Sequence, residues 1–301
     1  MGRASAFITK GDSVIIGRKG NISSPILMRE PFWNVDTAFG LEPNEERLTV
    51  EYLYYFCERF NFEKLNKAVT IPSLTKADLL KIDMPLPPIN LQREFTDRVV
   101  LIDNLKVLLE NVKQALDDLV KSQFVEMFGD PVEVIDAIPL GSIALLKAGN
   151  ATTAASISET DADGLYPCYG GNGLRGYAAE FTHEGVFPLI GRQGAQCGNV
   201  KLASGKFRAT EHAVVVQPTI EIDPIWLFHY LRYDDLGRLA TGAAQPGLSV
   251  KNLNQIPVSI PPIALQQQFA DFVARVDKLG FGIWLACKSL HEPITHFYHQ
   301  I

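Results

Sequence analysis

The sequence predicts an α+β chain: two β-rich α/β units in tandem, separated by two long helices packed as an antiparallel coiled-coil spacer with pseudo-two-fold symmetry. Three observations predict it. The first is an internal repeat at an offset of 174 residues. Pro72-Ser73-Leu74-Thr75 returns as Pro246-Gly247-Leu248-Ser249, Pro87-Pro88-Ile89 as Pro261-Pro262-Ile263, and Leu91-Gln92 with Phe95 as Leu265-Gln266 with Phe269. The same offset joins Ile16-Gly17-Arg18 and Gly20 to Ile190-Gly191-Arg192 and Gly194. A period this long is domain-sized, not that of a solenoid. The second observation is a heptad-like seam through Ile102, Leu105, Leu109, Val112, Leu116 and Leu119. The third is the alternation of short β-type runs and turn residues ahead of each helix.

Each element follows in order. Ser13 to Gly17 reads as a buried strand ended by glycine. Val50 to Cys57 has helical spacing, with Leu53, Phe56 and Phe60 on one side. Thr75 to Ile82 reads as a short helix whose Thr75 hydroxyl caps its N-terminus. Met84 to Pro88 is extended, as its prolines require. The run from Leu91 to Phe128 has no Gly or Pro, and as a helix of about 38 residues it would be roughly 57 Å long. Gly129-Asp130-Pro131 ends it. Gly170-Gly171-Asn172-Gly173 reads as a tight turn in a second β-rich unit. The second helix carries Phe269, Phe272, Val276, Leu279, Ile283, Leu290, Ile294 and Phe297, but Gly280, Gly282 and Pro293 predict a bend or break. The expected boundaries are 1–88, a helix over 89–130, 131–262, and a helix over 263–301.

Composition narrows the class. The 301 residues are 47% hydrophobic and 21% charged, with a net charge of −6 at pH 7. These are values of a globular protein large enough for two cores. No apolar run is long enough to span a bilayer. The N-terminus has no signal-peptide apolar region before Lys10 and Asp12. Cys57, Cys168, Cys197 and Cys287 are scattered, without metal or disulfide spacing, which predicts reduced thiols in the cytoplasm. The acidic total means that any nucleic-acid face must be local. Residues 1–35 carry five basic and two acidic residues, and so do residues 175–210.

The motifs of catalysis are absent. Gly11 to Lys19 lacks the Gly-Lys-Ser/Thr of a phosphate loop, and no Gly-x-Ser-x-Gly elbow occurs. His291, His296 and His299 lack supporting ligand spacing. Arg29-Glu30-Pro31-Phe32-Trp33 is not the Asn/Asp-Pro-Pro-aromatic tetrapeptide of adenine methyltransferases. A duplicated chain without such groups reads as a binder or a scaffold.

Met84-Pro85-Leu86-Pro87-Pro88-Ile89-Asn90-Leu91-Gln92 and its copy Ile260 to Gln266 resemble a hallmark of the specificity subunit of type I restriction-modification systems. Pro72-x-Leu74, Pro246-x-Leu248, Phe124 to Pro131 and Tyr166 to Tyr177 resemble that family too, so the likeness covers essentially the whole chain. The resemblance implies a non-catalytic subunit in which each recognition domain reads one half of a split target in double-stranded DNA and the helices fix the gap. It also implies two methyltransferase subunits using S-adenosylmethionine, restriction subunits driven by ATP with Mg2+, and no cofactor in this chain. In one respect the sequence departs from the family pattern. About 35 residues, Pro139 to Leu174, precede the position matching Met1, and the first copy has no equivalent. A second reading therefore stands beside the first: a truncated or silent specificity cassette that only binds methyltransferase subunits.

Candidate DNA contacts are Arg18, Lys19 and Asn21 in the first copy, and Arg192, Gln193, Asn199 and Lys201 in the second. Arg can read guanine, Asn and Gln can read adenine, and Lys mostly meets phosphate. Lys76 and Gln245 flank the Pro-x-Leu elements and could reach the backbone. The shared Gly-Arg also fits a structural turn with a surface arginine. Positions that differ between copies, such as Lys19 against Gln193, suit base choice better than shared ones.

Overall fold

The computed structural model describes residues 5–68, 70–132, 136–194, 197–242 and 247–298, with side chains described as far as 285. The chain divides into two compact units, Met1–Asn111 with Ile283–Ile301, and Val112–Gly282. The two long helices each contribute to both.

In the first unit, strands β1 (Ser13–Gly17), β2 (Ile26–Met28) and β3 (Ala38–Leu41) form an antiparallel sheet in the order β2-β1-β3. Helix α1 (Val50–Arg59) follows, capped by the Thr49 hydroxyl, then a 3-10 turn (Phe62–Leu65) and the short helix α2 (Lys76–Leu79). The Thr75 hydroxyl accepts from Asp78 N–H at 3.1 Å, as the sequence predicts. Val14, Ile16, Ile22, Leu53, Cys57, Phe62 and Leu74 form the core. Helix α3 (Ile89–Phe128) is continuous and begins against α1, where the Tyr52 and Phe95 rings meet edge-on at 5.4 Å. Gly129, at φ +79°, ends it in the left-handed conformation expected of that residue.

The second unit adds β4 (Ile138–Pro139), β5 (Ala144–Ala148), β6 (Tyr166–Gly170), β7 (Gly173–Ala178), β8 (His183–Gly191), β9 (Val200–Ala209) and β10 (Ala213–Pro218). It continues with α4 (Pro224–Tyr233), a 3-10 turn (Leu236–Leu239), α5 (Val250–Leu253), β11 (Pro257–Val258) and α6 (Ile263–Tyr298). Its main sheet has six strands, β5-β10-β8-β9-β6-β7, all antiparallel except β6 with β9. Strands β4 and β11 pair separately.

The offset of 174 is physical. It carries α1 onto α4, the first 3-10 turn onto the second, α2 onto α5, and the start of α3 onto the start of α6. The strand trio β2-β1-β3 matches β9-β8-β10. The repeated Leu-Gln is explained by a latch. Thr49 N–H donates to Gln92 Oε1 (2.9 Å), and Gln92 Nε2 donates to the Arg47 and Pro87 carbonyls (2.7 Å each). Asp223 N–H donates to Gln266 Oε1 (2.9 Å), and Gln266 Nε2 donates to the Pro261 carbonyl (2.8 Å). Both glutamines are fully buried, so these bonds satisfy polar groups that water cannot reach. The difference between the copies is equally plain. Strands β4, β5 and β6 lie ahead of the repeated stretch of the second copy, and the first sheet has three strands among the described residues.

The helices correct the sequence reading in two places. Helix α6 runs from Ile263 to Tyr298 without the expected break at Gly280, Gly282 or Pro293. In the second unit the end of α3 and the start of α6 run in opposite senses. Phe124 meets Phe269 at 5.3 Å between ring centroids, and a β-carbon at Gly280 would lie 3.3 Å from Leu116 Cδ1. Packing on that side offsets the weak helix propensity of the glycine. The seam also changes phase. Ile102, Leu105, Leu109, Val112 and Leu116 are half-buried, but Leu119 is exposed and Val120 and Phe124 are buried in its place. On α6 the buried positions are Phe269, Val273 and Val276, whereas Leu279 is 62% and Ile283 37% exposed. Leu119 and Leu279 therefore do not take the expected inward places, because the stripe advances by four residues after Leu116 and Gly280 takes the inward place beside Leu279. The Leu290 side chain, like those of His291, His296 and His299, lies outside the described residues.

Candidate nucleic-acid interface

The glycine-arginine step that ends β1 and β8 is built the same way twice. Arg18 N–H donates to the Thr37 carbonyl (2.7 Å) and the Arg18 carbonyl accepts from Leu74 N–H (2.9 Å). Arg192 N–H donates to the His212 carbonyl (3.0 Å) and the Arg192 carbonyl accepts from Leu248 N–H (2.8 Å). The backbone of this residue thus ties the central strand to the Pro-x-Leu loop, whose leucine is buried. Gly17 is required by the same crowding: a β-carbon there would meet the Asn21 carbonyl oxygen at 1.8 Å. The shared Gly-Arg is a structural clamp first. The arginine side chains differ beyond it. Arg18 Nη1 donates to the Asp36 carbonyl (3.2 Å), with its guanidinium 5.8 Å from the centre of the Phe39 ring. Arg192 Nε is buried without a hydrogen-bond partner.

In the first unit Lys19 bridges to Ser73 and is exposed, as are Asn21 and Lys76, the first residue of α2. In the second unit Gln193 bridges to Gly247. Gln193, Asn199 and Lys201 collect around the turn between β6 and β7. Asn199 Nδ2 donates to Asn172 Oδ1 (2.9 Å), and the Lys201 stem lies beside Gly173, where a β-carbon would be 3.5 Å from Cγ. The turn borders an open cavity of about 470 Å3, lined by Gly170 to Arg175 with Gln193 and His212. Gly173, at φ +106°, supplies a conformation that other residues adopt at a cost. Gln245 falls outside the described residues. Asn172, Arg175 and His212 were missed as candidates. His212 differs between the copies as Gln193 does, since Thr37 holds its place in the first copy, its carbonyl accepting from Arg18 N–H.

The titratable groups inside the units are core groups. Burial pushes His229 down to about 3, and its Nδ1 lies 3.0 Å from the Tyr233 hydroxyl. Burial pushes Cys57 up to about 12. Among the described residues, no group of three His, Cys, Asp or Glu is placed to hold a metal ion. Nor is any helix among them long and apolar enough to cross a membrane.

Two copies of one α/β unit, each with a Pro-x-Leu loop clamped to its central strand, define a tandem-repeat protein. The comparisons with known proteins agree. Residues 1–117 and 135–283 match the type I restriction modification DNA specificity domain, and the chain belongs to that family. It is 33% identical over 292 residues to the type I restriction enzyme EcoprrI specificity subunit of Escherichia coli, covering 90% of this chain and 71% of that protein. It is also 33% identical over 108 residues to a putative type I restriction enzyme specificity subunit of Haemophilus influenzae, over 35% of this chain and 28% of that protein. The fold is that of the type I restriction-modification S subunit from M. genitalium. The TM-score is 0.62 at 20% identity, over 98% of this chain and 84% of that one. The protein is accordingly a DNA-specificity subunit of a type I restriction-modification system, a recognition component and not a catalytic one.

Proposed function

We propose that the second unit reads one half of a split target in double-stranded DNA through the face made by the Gly170–Arg175 turn and Arg192, Gln193, Asn199 and Lys201. The first unit reads the other half through Arg18, Lys19, Asn21 and Lys76, and helices α3 and α6 set the gap. The observation that carries this reading is the gathering of polar loop residues around one cavity beside the end of β8, where the Gly-Arg step that the repeat duplicates stands. Division of labour follows from chemistry. Arg192 and Lys201 suit phosphates, which position the duplex, while amides suit base edges. Two readers on one chain gain affinity through effective concentration.

On this reading the chain recruits two methyltransferase subunits, and restriction subunits join them in the cytoplasm. S-adenosylmethionine, ATP and Mg2+ belong to those partners, and this chain holds no cofactor. The support is family membership together with the scattered free cysteines. Arg192→Ala tests the interface. Measured with the assembled methyltransferase complex, its DNA affinity falls, and the slope of log affinity against log salt shrinks by about one unit, the share of one phosphate contact. Unchanged affinity and slope would remove Arg192 from the interface.

A further inference from the structure

Two exposed amides flank the cavity at the β6–β7 turn, and each is held by a second side chain. Asn199 Nδ2 donates to Asn172 Oδ1, and Gln193 Oε1 shares a hydrogen bond of 2.7 Å with His212 Nδ1. The second hold is itself anchored. His212 Nε2 lies 3.3 Å from Glu211 Oε1, and Glu211 Oε2 accepts from Thr152 N–H at 3.1 Å. The His212 carbonyl also accepts from Arg192 N–H, the residue before Gln193. A chain of contacts from Thr152 through Glu211 and His212 therefore ends on an exposed glutamine.

Such a chain lies outside the core, because Asn172 and Gln193 are exposed. Its effect is to stop two rotamer-rich side chains from moving, which removes an ordering cost that a ligand would otherwise meet. One end of each amide is engaged and the other is left for the cavity. At the cavity's edge the fully buried Thr210 has no partner for its Oγ1, and a β-carbon at Gly170 would lie 3.7 Å from that oxygen. Gly170, Gly171 and Gly173 line the cavity, and a β-carbon at Gly171 would meet the His212 carbonyl oxygen at 2.9 Å, so the turn packs closely on the strand that carries His212.

We propose that Asn172 and Gln193 choose the bases of the second half-site, each by hydrogen-bonding one base-pair edge in the major groove, and that Asn199 and His212 are positioning residues for them. The inference rests on reading the second unit as a half-site reader. The first unit supplies the contrast. At the offset of 174 Gln193 matches Lys19, and in the strand register His212 stands where Thr37 does, each lending its carbonyl to the arginine N–H, so the amide–imidazole pair has no counterpart there. The clamp is shared while the readers differ, which is what two modules reading different bases require.

Selection from random duplex DNA by the full chain in complex with its methyltransferase subunit tests this. Gln193→Ala and Asn172→Ala should each flatten the preference at one position of one half-site by roughly fivefold to tenfold, leaving the other positions as they were. His212→Ala should weaken the position that Gln193→Ala abolishes, by a smaller factor, and His212→Gln should restore part of it. An unchanged motif in Gln193→Ala and Asn172→Ala, or an even loss across the half-site, overturns the assignment. A wild-type complex that enriches no motif overturns the half-site reading itself, and the assignment with it.

Discussion

At the scale of single residues, the repeat separates what builds a unit from what gives it a target. Gln92 and Gln266 are latches, and the Arg18 and Arg192 backbones are clamps, which is why these residues recur. The repetition was legible, but its cause was not, because identical letters do not say whether a side chain or a main chain is being used. His229 is a second case. It stands 5% exposed between the Tyr233 hydroxyl and the Phe269 ring, a neutral core histidine and not a site. Its folded pKa is lowered to about 3, against about 6.5 unfolded. The unfolded chain therefore binds a proton that the folded one refuses. The stability this group withholds is nil above pH 6.5 and grows as pH falls toward 3. Unfolding in urea should find wild type weaker at pH 5 than at pH 7, and His229→Gln relieved of about 2 kcal/mol of that difference. Equal pH dependence in the two proteins would show that His229 is not held neutral.

At the scale of elements, the helices were read well where the chain is simple. Uninterrupted apolar spacing marked α3 within two residues of its observed start, and Gly129 marked its end. Two features were hidden. The seam changes phase after Leu116, because Phe124 enters an aromatic nest of Phe269, Tyr230 and Tyr233 that draws the helix round by one residue. Phe124 is completely buried, a gain on the order of 2–3 kcal/mol that outweighs the regular heptad. Gly280 then faces Leu116 and serves as a contact, where propensity alone predicted a break. The joint between helix and unit is testable. Gln266→Leu leaves the Asp223 N–H and Pro261 carbonyl buried without a partner. It should cost about 2–3 kcal/mol and lower the thermal midpoint by several degrees in calorimetry. A midpoint unchanged within a degree would mean that the latch only accompanies the fold.

At the scale of the whole molecule, the duplication relates the two units element by element. The offset of 174 maps helix onto helix and the central strand trio onto its copy, yet the second sheet has six strands and the first has three among the described residues. That Pro139 to Leu174 precedes the repeated stretch of the second copy was visible in the sequence. What it builds was not, since strands β5 and β6 pair with β10 and β9, which lie far along the chain. It also builds one wall of the cavity at the β6–β7 turn of the second unit. The central claim is that both units read DNA and that they read different bases. A methylation map of DNA from cells expressing this chain with its methyltransferase subunit tests that claim most directly. The account predicts one bipartite motif, two unlike halves separated by a fixed gap. A single half repeated as a palindrome, or no motif at all, would contradict it.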